Sequence, residues 1–266
     1  MIPYFDRTNF AVGPLTIQVW GLFVAAGIAA ALALIYRLAG RYKLDRGFAL
    51  DLAAWMLLGG LLGGRLLYLL AYDPLAWFAD PLLAVRVWQG GMSIYGGFLG
   101  GALAGWWYCR RHRVAFLPYA HLIAFALPLG CAIGRIGCFL IHDHPGIRSA
   151  SFLAVAYPGG GRLDHGLLLA LLNLGIFLFF LARSRSRSGS AEPWLFWYLA
   201  IYGATRFGLD FLRVWDLPQS DARLWFLTPA QYLSLAACVS GVIALRRVLP
   251  RIGIAAPEAA AASSRT

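Results

Sequence analysis

The chain has 266 residues, of which 60% are hydrophobic and only 13% charged, and its mean hydropathy is +0.67. A water-soluble protein of this size needs roughly twice that charged share to cover its surface, so soluble folds are excluded. Apolar stretches repeatedly reach the roughly 20 residues that cross a bilayer as a helix, without the short alternating segments of a membrane barrel. The composition specifies an all-α polytopic membrane protein.

The opening MIPYFDRTNF lacks a basic n-region and the first apolar run has no small-residue cleavage signature, so that run is read as a helix. Seven runs predict seven transmembrane helices: Thr16–Tyr36, Leu50–Tyr72, Met92–Cys109, Phe116–Gly134, Leu163–Ala182, Trp194–Leu212 and Thr228–Leu245. Connections after the odd-numbered runs carry Arg37, Arg41, Lys43 and Arg46; Arg110, Arg111 and Arg113; Arg183, Arg185 and Arg187; and Arg246, Arg247, Arg251 and Arg265. Against these fourteen, the opposite side holds Arg7, Arg86, Arg148, Arg162, Arg213 and Arg223. The positive-inside rule puts the N-terminus outside and the C-terminus in the cytoplasm. The net charge of +11 is thereby a matter of topology, and no nucleic-acid partner is expected. Residues 1–252 form one seven-helix domain with periplasmic loops, and the Ala-rich stretch 253–266 is expected to be a disordered cytoplasmic tail.

Four cysteines (Cys109, Cys131, Cys138 and Cys238) form no CxxC pair, so neither a disulfide scaffold nor a redox role is implied. Three arginines remain within or at the ends of spans: Arg65, Arg135 and Arg206, the last with Asp210 one turn on. Charge at bilayer depth costs roughly 2.5–3.5 kcal/mol unless it faces a cavity or a partner. Spans two, four and six all run outward, which puts the three cations at the outer leaflet. The segment Gly90-Gly91-Met92-Ser93-Ile94-Tyr95-Gly96-Gly97 opens span three from the same side, where its Gly pairs permit backbone N–H groups to face a ligand. A cavity of Arg side chains and backbone donors suits an anionic lipid headgroup. The other glycines of spans two and three read as small-residue helix packing.

Beyond span four, His142, Asp143 and His144 offer acid-base chemistry. Two His in a short loop without a third well-spaced ligand do not make a metal site, so no metal and no cofactor are expected. A retinal pump is excluded because the only lysine, Lys43, lies in a cytoplasmic loop. No internal repeat of the transporter kind is present.

Four motifs together resemble the prolipoprotein diacylglyceryl transferases of bacterial plasma membranes. They are Gly64-Arg65-Leu66-Leu67-Tyr68, the Gly90–Gly97 segment, Gly134-Arg135-Ile136-Gly137, and Tyr202-Gly203 with Arg206-Phe207, Asp210-Phe211 and Arg213. The resemblance implies an enzyme of the inner membrane, with its site at the outer leaflet. It would move a diacylglyceryl group from phosphatidylglycerol to the lipobox cysteine thiol of a prolipoprotein, whose signal peptide is then a partner, leaving a thioether and releasing glycerol phosphate. It further implies that Arg135 and Arg206 grip the phosphate, with Arg65, Ser93, Gly96, Gly97 and Cys138 around the substrate, and that Asp143, Asp210 or Tyr95 handles the thiol proton. The chain departs from the family at Trp20 (Tyr), Tyr95 (His), Cys138 (Asn), Asp143 (Glu) and Asp210 (Glu). A Gln-Leu-Tyr-Glu-Ala motif appears as Gly166-Leu167-Leu168-Leu169-Ala170. An alternative reading is a relative that binds anionic phospholipid at the outer leaflet without transfer, or acts on another acceptor.

Overall fold

The structure, a computed structural model, describes residues 1–5, 8–13, 15–72, 74–86, 91–186, 192–216, 223 and 225–263. Helices form at each apolar run: α1 (Val19–Arg41), α2 (Arg46–Tyr72), the short α3 (Pro74–Ala79), α4 (Ile94–Arg111), α5 (Phe116–Ile141), α6 (His165–Ser186), α7 (Trp194–Asp210) and α8 (Pro229–Ser263). Five of them, over Val19–Arg41, Arg46–Leu70, Phe116–Ile141, His165–Arg185 and Pro229–Leu249, are long and apolar enough to cross a membrane. The helix α4 (18 residues) is diluted by glycine and ends on two arginines, and α7 (17 residues) carries Arg206 and Asp210.

The chain divides into two compact units, residues 35–120 and residues 1–34 with 121–266. In the first, α2 and α4 pack through glycine. A Cβ on Gly63 would lie 2.8 Å from Gly100 Cα, and one on Gly59 would lie 2.6 Å from the Gly100 carbonyl oxygen. Backbones approach this closely only where no side chain intervenes, so the small-residue reading of these glycines holds.

In the second unit, α7 and α8 meet in the same way, with a Cβ on Gly203 falling 2.6 Å from the Ser234 carbonyl oxygen. The helices α1 and α5 cross at Gly27 and Gly130. Trp194, Phe125 and Phe180 are fully buried, with ring centroids 4.9 Å (Phe125–Trp194) and 5.0 Å (Phe180–Trp194) apart. Their mutual edge and tilted contacts anchor α5, α6 and α7 to one another.

Short strands join this helical framework. A hairpin of β1 (Asn9–Val12) and β2 (Leu15–Gln18) leads into α1, and β3 (Pro145–Arg148), β4 (Ala154–Tyr157) and β5 (Gly160–Asp164) form an antiparallel sheet, ordered β3-β5-β4, between α5 and α6. Ile2 bridges to Val155, and the Ile147 N–H donates to the Leu212 carbonyl at 3.0 Å. The sheet is thus stitched both to the start of the chain and to the segment after α7.

Candidate active site

The site is built on the end of α5. Arg135 and Cys138 are three residues apart and share a helix face, where Arg135 Nη1 donates toward Cys138 Sγ at 3.9 Å. The helix ends at Ile141, and His142 takes a left-handed backbone conformation (φ 50) that reverses the chain. Asp143 and His144 are turned back over the last helical turn. One ligand-type atom each from Cys138, Asp143 and His144 lies within 4.8 Å of the other two. Partial burial lifts the Asp143 carboxyl above the usual range, against the pull of His144 and Arg135.

A buried carboxylate underlies this corner. Asp164 Oδ2 accepts from the Tyr157 hydroxyl at 2.7 Å and pairs with His142 Nδ1 at 2.9 Å, while Oδ1 accepts from the Leu167 N–H at 3.0 Å. The last bond caps the first turn of α6, which is why that helix begins at His165. The His142 ring sits among Tyr4, Phe5, Phe139 and Tyr157, with centroids 4.6 to 5.3 Å away. These contacts hold a non-glycine residue in its left-handed conformation. The Tyr157 hydroxyl is held well above its ordinary pKa by burial and then by the adjacent Asp164.

The end of α7 supplies the second cation. Arg206 donates to Asp210 one turn on, and the Thr228 hydroxyl donates to the other carboxylate oxygen of Asp210. Arg213 approaches Asp210 at 3.9 Å, and Gln231 accepts from the Thr228 N–H at 2.9 Å. The Asp210 carboxylate is 1% exposed and engaged by these donors, so it aims Arg206. Tyr202 and His165 each feel the charges of both Arg135 and Arg206.

The remaining expected residues fall in the other unit. Arg65 is 4% exposed; its Nε donates to the Leu83 carbonyl at 2.9 Å and its Nη1 to the Gly91 carbonyl at 3.1 Å. These bonds tie down the approach to α4. Ser93 is the N-cap of α4, accepting from the Gly96 N–H at 3.5 Å. Gly96 packs on Gly63, whereas a Cβ on Gly97 would meet nothing closer than 3.6 Å. Gly90, the side chain of Tyr95 and the last three residues of the expected tail lie outside the described residues.

The family model for prolipoprotein diacylglyceryl transferase matches residues 7–247. The chain belongs to the prolipoprotein diacylglyceryl transferase family. It is 36% identical over 265 residues to the phosphatidylglycerol–prolipoprotein diacylglyceryl transferase of Pseudomonas aeruginosa (strain UCBPP-PA14), covering 97% of this chain and 98% of that protein. The similarly named protein of Solidesulfovibrio magneticus is 36% identical over 262 residues (93% and 96% covered), and that of Pseudomonas syringae pv. syringae is 32% identical over 253 (91% and 94%).

In this member of the prolipoprotein diacylglyceryl transferase family, sequence reasoning missed Asp164, His165, Tyr157 and Arg162. Arg162 is 7% exposed and grips Asp216 with two hydrogen bonds, 2.9 and 2.7 Å, while also donating to the Gly146 carbonyl at 3.0 Å. The guanidinium holds the Asp216 carboxyl down to about 2. His165 is 1% exposed and neither ring nitrogen has a hydrogen-bond partner among the described residues. The signal for the first pair was an Asp-His step immediately before a long apolar run, the pattern of a helix N-cap.

Proposed function

We propose that the protein transfers the diacylglyceryl group of phosphatidylglycerol to the lipobox cysteine thiol of a prolipoprotein, forming a thioether and releasing glycerol phosphate. The observation that carries this reading is similarity to proteins named for that reaction over nearly the full chain. Arg135 and Arg206 hold the phosphate and stabilise the charge that develops on it as the leaving group departs. Asp210 orients Arg206, and the corner of Cys138, Asp143 and His144 receives the acceptor thiol and takes up its proton. An apolar groove of about 510 Å³ between α6 and α7 is lined by Leu168, Leu172, Thr205, Gly208, Leu209 and Leu212. Its apolar lining suits an acyl chain of a lipid. In this reading the chain crosses the bacterial inner membrane seven times, with its N-terminus and its site at the outer leaflet.

Purified protein incubated with phosphatidylglycerol and a lipobox peptide is expected to release glycerol phosphate and add a diacylglyceryl mass to the peptide cysteine. A folded protein that yields no product from any lipobox peptide overturns the reading. A second reading, retention of anionic phospholipid without transfer, is favoured by one observation: Asp210, one of the groups expected to handle the thiol proton, already accepts hydrogen bonds from Arg206 and Thr228. Native mass spectrometry showing bound phosphatidylglycerol in a preparation without turnover would select it.

A further inference from the structure

His165 opens α6 with 1% of its surface exposed and with neither ring nitrogen bonded among the described residues. A buried polar group without a partner is costly, and the cost is recovered where a ligand supplies the partner. We propose that the His165 ring is a third donor to the phosphate of the lipid substrate, beside Arg135 and Arg206, and bonds the oxygen that leaves with glycerol phosphate. The inference deepens the transfer reaction proposed above and rests on it for the identity of the leaving group.

Three observations carry it. The first is where the backbone puts the residue. Pro145 of β3 is paired with Asp164, the residue before His165, and the next residue of that strand, Gly146, bridges to Arg213. A Cβ on Gly146 would lie 2.7 Å from the Leu212 carbonyl oxygen and 2.8 Å from the Leu163 carbonyl oxygen. One glycine therefore separates the approach to α6 from the segment after α7. On the other side the His165 N–H donates to the His144 carbonyl at 2.9 Å, and a Cβ on Gly166 would lie 2.8 Å from the Phe139 nitrogen, so the start of α6 is pressed onto the end of α5. His165 is thus wedged between the helix end that carries Arg135 and the one that carries Arg206.

The second is charge. The ring feels the positive charges of Arg206, Arg213 and Arg135. Arg206 and Arg213 share one carboxylate, Asp210, while Arg135 forms no ion pair among the described residues and attracts Asp143 only from beyond that distance. Asp164, next to His165 in sequence, is taken up by His142, Tyr157 and the Leu167 N–H. Cations that outnumber the carboxylate paired with them suit an anion, and a phosphate that accepts from guanidinium groups also accepts from an imidazole N–H. In either charge state an imidazole offers at least one such donor.

The third is the groove. His165, Leu168 and Leu172 stand at i, i+3 and i+7, on one stripe of α6. Leu168 and Leu172 line the apolar groove of about 510 Å³ against Thr205, Gly208 and Leu209 of α7. The stripe therefore runs from apolar groove to unpaired imidazole. A phospholipid lying along it has an acyl chain between α6 and α7 and its phosphate at His165.

The reaction step balances without a proton leaving the ring. The acceptor sulfur, its proton taken up at the corner of Cys138, Asp143 and His144, attacks the diacylglyceryl carbon. A C–S bond forms as the C–O bond to phosphate breaks, and the electron pair stays on the phosphate oxygen. That oxygen gains charge only as the bond breaks, so a donor aimed at it stabilises the transition state more than the bound lipid.

The test uses the full chain in detergent with phosphatidylglycerol and a lipobox peptide. His165→Phe keeps the bulk of the ring and removes both nitrogens, whereas His165→Gln keeps an N–H donor. His165→Phe should lower kcat about 10- to 100-fold, the worth of a hydrogen bond to a charged group, with KM for phosphatidylglycerol changed less than about three-fold. Its Tm should be unchanged or higher, because an apolar group of similar shape suits a site without partners. His165→Gln should recover most of the lost turnover. Turnover unchanged in His165→Phe overturns the inference and leaves the transfer reading intact. A loss of turnover that comes with a lower Tm and is not recovered by His165→Gln also overturns it, since packing alone produces that pattern.

A second measurement does not depend on turnover. Glycerol phosphate, titrated calorimetrically, carries the charge of the leaving group and should bind His165→Phe about ten-fold more weakly than the parent. Phosphatidylglycerol should displace it. Binding that His165→Phe does not weaken, or that phosphatidylglycerol does not displace, overturns the site. Displaceable binding that weakens ten-fold in His165→Phe, in a protein that transfers nothing, supports His165 as a phosphate ligand and sinks the transfer reading instead.

Discussion

His142 Nδ1 and Asp164 Oδ2 stand 2.9 Å apart with both side chains out of solvent, and the same oxygen takes the Tyr157 hydroxyl at 2.7 Å. One carboxylate therefore binds donors from the loop after α5, from β4 and, through Oδ1, from the first turn of α6. Removing it leaves two buried donors without an acceptor and a helix without its cap. Asp164→Ala is expected to cost about 3 kcal/mol or more, since an unsatisfied buried group costs about 1–3 and a lost cap about 1 kcal/mol. Tyr157→Phe loses only one of the bonds and should cost about 1 kcal/mol. Thermal unfolding in detergent ranks the two; equal, small losses would contradict the hub role.

At the end of α7 the expected ordering is of rates. Arg206→Ala removes a donor aimed at developing charge and should lower turnover about 100- to 1,000-fold. Thr228→Val removes only the hydroxyl behind Asp210, leaving the Arg206–Asp210 pair in place, and should lower turnover less than about ten-fold. Glycerol phosphate release measures both, and parity between the variants would mean that Asp210 and Thr228 do more than aim the arginine.

The seam between α2 and α4 discriminates between adjacent glycines. A Cβ on Gly96 would sit 2.7 Å from Leu67 Cβ and 2.8 Å from the Gly63 carbonyl carbon, whereas on Gly97 the nearest atom is 3.6 Å away. Gly96→Ala should cost about 1–3 kcal/mol by overpacking, and Gly97→Ala should change stability by less than about 0.5 kcal/mol. A tolerated Gly96→Ala would show that the helices are not in this register.

Acid should act through Asp216. Its carboxyl is held down to about 2 by the hydrogen bonds from Arg162, below the unfolded value of about 3.9. A depressed carboxyl pKa stabilises the fold fully above the unfolded value, and the effect is lost as pH falls through the folded one. The difference in Tm between the parent and Asp216→Asn should thus be constant down to about pH 4 and close towards pH 2. A difference that persists unchanged at pH 2 would assign the effect to packing.

Orientation is checked by labelling intact cells with an impermeant maleimide. Ser151→Cys, in the loop between β3 and β4, should react from outside, and Arg185→Cys at the end of α6 should not. The opposite pattern reverses the topology and removes the outer-leaflet site.

The helices were legible because apolar runs of membrane length admit one solution in lipid, where every backbone group must be bonded within its own segment. The run ending at Gly134 stopped short, since Arg135 looked like a boundary; α5 continues to Ile141 because its charge and Cys138 lie on a face turned toward other polar groups. The sheet was not legible. Its strands are four or five residues long, and Pro145, Gly146, Gly160 and Gly161 interrupt any alternation, so pairing is decided by partners distant in sequence, such as Ile2 and Leu212. Asp164 escaped notice because the search for an acid in span five began at Gly166. Cys138 and Asp143 were singled out, but their closeness to each other and to His144 was not, because spacing was counted along the chain and a left-handed turn at His142 shortens that distance in space.

Arg65 meets the Leu83 and Gly91 carbonyls, 18 and 26 residues further along the chain. A ribosome adding roughly 5–20 residues per second needs about one to five seconds to produce those oxygens after the arginine has been made. Throughout that interval α2 has no access to either carbonyl. The two bonds therefore close only after the approach to α4 has been made, so Arg65 joins segments of the chain that are completed seconds apart.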